Sequence, residues 1–442
     1  MQEQESGPED PPETARTMIT RSSDDTIIIE GHAVTHHAPG EDSRSPIRIE
    51  VEEDSGLIRA IGEPRGTGDL VLGPEHTIFP GLVDAHVHAR EDATSSQSYK
   101  EDFRTAGEAA IHGGVTAFAD MPNNPSPPID DASYVKKREI ARSSPVDVLL
   151  YAGVGPRTRP LSFPAPYKVY MGQSIGDLFF ESEESLRETL ARYRGLAVAF
   201  HAESPEVLKR FRDAPTHEER RPAEAEVRAI ETAIELSESF GIEPHICHLS
   251  TGDGLERIRR ARKRGLHVTC EVTPHHLFFD RDNMGSFPQP RYLQANPPIR
   301  SRLDRIALLE GLRSGEIDYL ATDHAPHSLE ENEAGISGIP HLDTLGAFTS
   351  WLRHEGVSSR TLRLVCAERP GKFLGRYLPT RHGKIEKGFV GSLTIFRDFP
   401  WTVRRSTLRT RAGWSPFEGR TFQGRVSHTI VRGKIHPILD EG

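Results

Sequence analysis

Apolar and polar positions follow three successive regimes along the chain. From about Asp25 to Pro80 the pattern is that of short strands. Thr26-Ile27-Ile28-Ile29-Glu30 is a β-branched run, Pro46–Glu52 alternates apolar with polar residues, and Gly56–Gly62 follows a turn. These predict a small antiparallel sheet. From Gly81 onward apolar runs alternate with stretches of helical period. The runs are Leu82–His88, Val115–Met121, Val146–Gly153, Tyr167–Met171, Leu196–Ala202, Pro244–Ser250, His267–Pro274 and Ile317–Asp323. Glu183–Arg194, Ala223–Phe240 and Gly254–Arg264, the last running into Gly265, read as helices between them. From about Lys384 strand patterns return in Phe389–Phe396 and Val426–Lys434.

Strands alternating with helices predict βα units and a parallel sheet, and eight in succession match a (β/α)8 TIM barrel of the α/β class. A doubly wound open sheet is the alternative, disfavoured because no glycine-rich phosphate loop follows the first strand. The two flanking regimes are expected to pair into one small β-sandwich domain. The predicted division is a disordered leader over 1–20, the sandwich over 21–80 and 384–442, and the barrel over 81–383.

Composition narrows the function. The net charge of −10 argues against nucleic acid as a partner, because such proteins carry basic surfaces. No run of 18 or more apolar residues occurs, so no membrane-spanning helix is expected. Three cysteines, Cys247, Cys270 and Cys366, give no disulfide framework and point to a reducing cytoplasm. Residues 1–20, rich in Glu, Pro, Gln and Ser, lack the features of a secretory signal. Histidine stands out, because many of the 21 fall in clusters: His86/His88, His245/His248, His275/His276 and His324/His327.

Placing these residues on the predicted strands concentrates them at one end of the barrel. His86 and His88, two apart, share a strand face, and Arg90 continues it. Lys168 lies in the fourth strand, His201 ends the fifth, His248 the sixth and Asp323 the eighth. The carboxyl ends of barrel strands converge on one mouth, where active sites lie. Four imidazoles and a carboxylate suit zinc or a similar divalent ion. They are too many for one open tetrahedral site and fit two ions about 3.5–4 Å apart. A bridging ligand is then needed, and Lys168 supplies one if its neutral amine takes up carbon dioxide as a carbamate.

From about Thr26 to Lys434 the chain resembles the amidohydrolase superfamily and, within it, the dihydroorotases. The resemblance rests on Asp84-Ala85-His86-Val87-His88-Ala89-Arg90, Met121-Pro122-Asn123, His245–Ser250 with Thr273-Pro274-His275-His276-Leu277, Asn296-Pro297-Pro298 and Asp323-His324-Ala325-Pro326-His327. It implies two zinc or similar divalent ions held by His86, His88, His201, His248 and Asp323 and bridged by carboxylated Lys168. It implies substrate contacts from Arg90, Asn123, Asn296 and His327. The implied reaction is the reversible, metal-dependent cyclisation of N-carbamoyl-L-aspartate to L-dihydroorotate in pyrimidine (UMP) biosynthesis. A hydroxide bridging the metals attacks, and Asp323 acts as general acid and base. A homodimer is the assembly the resemblance implies. Some relatives hold a further zinc near the position of Cys247, where Glu271 and His276 are candidate helpers.

The chain departs from the family where Glu91-Asp92-Ala93 follows Arg90 in place of Glu-Pro-Gly. Ser328–Gly338 is a candidate lid. The alternative functions are a cyclic amidohydrolase of allantoinase or hydantoinase type and a non-catalytic subunit that keeps the fold. Arg90 and the Met121–Asn124 turn favour an acidic substrate, and the complete ligand set favours an enzyme.

Overall fold

The computed structural model describes residues 25–36, 40–172, 178–287 and 289–439. The leader expected over 1–20 lies outside them. The middle of the chain builds eight parallel strands: β1 (Leu82–Val87), β2 (Val115–Asp120), β3 (Asp147–Leu150, continued as Ala152–Val154), β4 (Tyr167–Tyr170), β5 (Ala197–His201), β6 (Glu243–Ile246), β7 (Thr269–Val272) and β8 (Tyr319–Leu320). β1 to the first half of β3 form one parallel arc, and the second half of β3 to β8 form the other. The arcs meet at Tyr151, whose amide donates to Asp120 (3.0 Å), while the Ala152 amide turns to Pro166 (2.9 Å). They meet again where the His88 amide donates to the His324 carbonyl at 2.8 Å, beside a parallel bridge from Val87 to His324. This is the eight-stranded barrel that the alternation predicts.

Inside the ring Val83, Ala117, Ala119, Leu149, Tyr151, Ala199 and Cys247 pack together, so the barrel is a filled core rather than a pore. Outside, helices cover the strands with apolar stripes. α1 (Ala223–Phe240) buries Ala229, Ile230, Ala233 and Leu236, and stops at Gly241, whose φ of 66° is free of strain only without a Cβ. α2 (Gly252–Lys263) begins two residues before its predicted start because the Thr251 hydroxyl accepts from the Gly254 amide and caps it.

The chain's two flanks share one eight-stranded sheet, in which His76–Pro80 pairs antiparallel with Leu393–Arg397. The sheet closes on a core that includes Ile29, Ile49, Ile78, Leu393, Ile395 and Ile430. The three predicted strands pair antiparallel as expected, Thr26–Ala33 with Ser45–Glu52 and that strand with Ile58–Gly62, but the sheet as a whole is mixed. Leu70–Val71 and His76–Pro80 run parallel to Thr26–Ala33. The intervening loop is pinned across the sheet, with Glu30 accepting from the Arg65 and Gly66 amides and Asp69 from the Ile28 amide. The strand that follows is therefore delivered in the same direction as the first.

Candidate metal centre and substrate cleft

A cleft at the carboxyl end of the barrel is lined by His86, His88, Arg90, Asn123, Lys168, Tyr170, His201, His248, His275, Asn296 and Asp323, with Ser337, Gly338 and Ile339 at its lip. His201 is the last residue of β5, but His88, His248 and Asp323 lie beyond the last strand residues of β1, β6 and β8. Arg90, His248 and Asp323 adopt positive φ (61°, 37° and 47°), a costly conformation for residues with a Cβ. These left-handed turns bend the side chains inward. Asp84 helps to hold the one before Asp323 by accepting from the Thr322 amide (3.1 Å) and hydroxyl (2.5 Å).

Two groups of ligand atoms result. His86 Nε2 and His88 Nε2 lie 3.2 and 3.0 Å from Asp323 Oδ1. His201 Nδ1 and His248 Nε2 lie 2.9 Å apart. Tetrahedral ligands about 2.1 Å from zinc stand about 3.4 Å from one another, so both spacings are near those of a shared ion. The tautomers agree. His88 Nδ1 faces Asn123 Oδ1 at 2.6 Å, His201 Nε2 faces Glu203 at 2.9 Å, and His86 Nδ1 faces Glu271. Each of these nitrogens donates to an oxygen, leaving the other with a lone pair turned inward. Nitrogen lone pairs facing each other repel unless a proton or cation lies between them. His248 Nδ1 is buried with no hydrogen-bond partner among the described residues. The donor set fits divalent metal.

Burial disfavours charge on the imidazoles. It lowers His86 despite Glu271 and Asp323, and lowers His88 and His248 far below the usual value, with Arg90 and His201 adding to it respectively. Burial also raises Asp323, against the pull of His86 and Lys168. Lys168 is fully buried, with Nζ 2.9 Å from Cys247 Sγ. His248 also comes within ligand reach of His86 and Asp323, and His86, Cys247 and Glu271 form a further close group. His276 is not part of it, because its ring nitrogens bond Thr273 and the Pro297 carbonyl. His245 packs against Thr269 and Glu271 behind the centre.

Arg90 is 2% exposed and has no carboxylate within ion-pair distance among the described residues. It donates to the Pro326 carbonyl (3.3 Å) and to His327 Nε2 (3.0 Å). His327 thus stands behind Arg90 rather than on the cleft wall, whereas Asn296 lines the cleft with a buried Oδ1 that has no partner among the described residues. Where the family pattern has Pro-Gly after the Glu, Asp92 ties the loops instead, accepting from the Thr94 and Ser126 amides at 2.8 and 2.7 Å. Glu91 accepts from the Phe103 amide at 3.0 Å. Tyr170 and His275 also line the cleft; His275 was marked in the sequence as one of a clustered pair without a site role, and Tyr170 was not singled out. Tyr170 had a usable signal, since it is two residues from Lys168 on one strand.

A barrel whose carboxyl-end cleft gathers histidines and a carboxylate is compatible with a divalent cation, and the comparisons name its family. Residues 77–436 match the amidohydrolase family, and the chain belongs to that family. It is 35% identical over 389 residues to a dihydroorotase of Pyrococcus furiosus, covering 86% of each chain. It is 31% identical to a dihydroorotase of an Anaeromyxobacter species (strain K) over 95% of this chain and 99% of the relative. Among solved structures it resembles the L-hydantoinase (dihydropyrimidinase) of Arthrobacter aurescens with a TM-score of 0.81 and 26% identity, covering 92% of this chain and 95% of that one. A dihydropyrimidinase from Brevibacillus agri shares the fold, with a TM-score of 0.78 at 22% identity.

Proposed function

We propose that the protein is a dihydroorotase, interconverting N-carbamoyl-L-aspartate and L-dihydroorotate for pyrimidine synthesis. One observation carries this beyond the relatives' names: Arg90 is a buried cation on the cleft wall with no carboxylate partner among the described residues. A buried charge is costly unless paired, so the cleft calls for an anionic substrate. A carboxylate seated there makes charge-assisted, bidentate bonds to the guanidinium, with Asn123 and Asn296 directing the ring.

His86, His88 and Asp323 are proposed to hold one divalent ion, zinc or a similar metal, and His201 and His248 a second, with carboxylated Lys168 between them. Ions bound there supply Lewis-acid polarisation of a carbonyl and acidification of water. Asp323, its carboxyl raised by burial, takes a proton from the attacking water and returns it to the leaving ring nitrogen. Ser337, Gly338 and Ile339 line the cleft beside the proposed substrate position. In this reading 81–383 carry the chemistry, while 21–80 and 384–442 form the supporting sheet domain. The buried, unpaired cysteines support a reducing cytoplasm, and among the described residues no helix is long and apolar enough to cross a membrane.

The test is turnover of dihydroorotate, N-carbamoyl-L-aspartate, allantoin and hydantoin by metal-loaded protein, with Asp323→Asn alongside. Turnover of the first two, lost in the variant, is expected. Activity only on allantoin or hydantoin keeps the chemistry and removes the substrate assignment. A protein with bound metal and no activity on any of the four is a silent subunit.

A further inference from the structure

Arg90 is held from behind by groups that the proposed chemistry leaves unused. Past Asp323 the chain reaches His327 and enters a short helix, Leu329–Glu333, which leads to the lip residues. The Glu331 carboxylate on this helix accepts from the Tyr99 hydroxyl at 2.6 Å, from Lys100 Nζ at 2.8 Å and from the Ser328 amide at 3.1 Å, and faces His327 Nδ1 at 3.2 Å. Tyr99 and Lys100 belong to the loop that follows β1.

An arginine N–H only donates, so His327 Nε2, 3.0 Å from Arg90, must accept. The ring proton then sits on Nδ1, where Glu331 accepts it. Lys100 Nζ, 3.3 Å from the same nitrogen, can only donate, and its partner is Glu331. Burial, with Arg90 and Lys100 nearby, keeps the imidazole neutral by pushing it down to about 2. Burial opposes charge on Glu331, but the bonds from Lys100, Tyr99 and the Ser328 amide outweigh it and hold its carboxyl at about 2.

We propose that Glu331 is a positioning residue for anion recognition. It fixes His327 as the Nδ1–H tautomer and so turns the Nε2 lone pair onto Arg90, which aims the guanidinium into the cleft. Because Tyr99 and Lys100 grip the same carboxylate, Arg90 is aimed only while the lid helix lies on the first-strand loop. Without Glu331 the proton can move to Nε2, where it opposes the arginine donor, and Arg90 turns away. The inference rests on the reading above that Arg90 receives a substrate carboxylate.

The experiment compares metal-loaded wild type, Glu331→Ala and Glu331→Gln for kcat and KM on dihydroorotate and for its calorimetric Kd. In Glu331→Ala we expect KM and Kd about tenfold higher, with kcat within about twofold of wild type. Glu331→Gln keeps an acceptor for Nδ1–H and is expected to restore most of the affinity. Unchanged affinity in the alanine variant overturns the inference, as does a fall confined to kcat, or a glutamine variant no better than alanine. Wild-type protein that neither binds nor turns over dihydroorotate removes the substrate reading and the inference together. A wild type that binds it and is indifferent to Glu331 removes the inference alone.

Discussion

At the scale of single residues, an imidazole serves as a ligand only when a neighbour decides which nitrogen carries the proton. Glu271 does this for His86, from 185 residues away in the sequence. Glu271→Gln is therefore expected to weaken metal binding about 10–100-fold while the fold is retained, read by chelator competition. An affinity equal to wild type would exclude this role. Asp84, pushed up to about 7 by burial, depends on Thr322 for part of its hydrogen bonding. Thr322→Val should cost about 1–3 kcal/mol in urea unfolding. Because Asp323 is the next residue, kcat should fall more than the change in KM accounts for. The ligand candidates were legible in the sequence because strand ends in a barrel converge, so residue type and position sufficed. Glu203 and Glu331 were not singled out, and Glu271 was marked only as a helper near Cys247 and not as the partner of His86, because these roles arise from contacts between distant loops and strands that no local spacing encodes.

At the scale of elements, the barrel strands follow the apolar runs, while their ends fall short of them. The run Ile317–Asp323 yields only Tyr319–Leu320 as strand, since the chain turns left-handed at Asp323 and leaves the ladder. Hydrophobic alternation marks where a strand runs, whereas the positive φ that ends its useful length is imposed by tertiary hydrogen bonds such as those from Asp84. The lid shows the same division. Its glycines mark a turn, yet what Gly338 avoids is visible only in three dimensions. A Cβ at Gly338, where φ is 152°, would stand 2.4 Å from the Ala325 carbonyl oxygen and 2.6 Å from His327 Cδ2. Gly338→Ala should therefore push the His327 ring from Arg90, raise KM about tenfold and also lower thermal stability, because the closest clash is with backbone at a φ that a Cβ strains. An unaltered KM would show that the lip relaxes without cost.

At the scale of the whole molecule, the sheet that joins the two flanks carries its own pH dependence. Burial, with His76 beside it, pushes His428 down to about 4 from 6.5. The unfolded chain takes up this proton near 6.5 and the folded chain only near 4, so this contribution to stability is whole above about 6.5 and is lost as the pH falls towards 4. His428→Gln should remove that share of the decline, up to about 2 kcal/mol between pH 7 and 4.5 in paired urea titrations. Parallel declines in the two proteins would contradict it. The return of strand pattern at both flanks was legible in the sequence. The parallel placement of His76–Pro80 was not, because it depends on how the Glu63–Asp69 loop is anchored.

The pairing of His76–Pro80 with Leu393–Arg397 also has a consequence for biosynthesis. More than 300 residues separate the two strands, so on the ribosome the first waits roughly 15–60 s for the second to be made. Throughout that interval it presents an open edge, a template for pairing with neighbouring nascent chains. The clasp between the two flanks can therefore form only after every barrel strand has been translated.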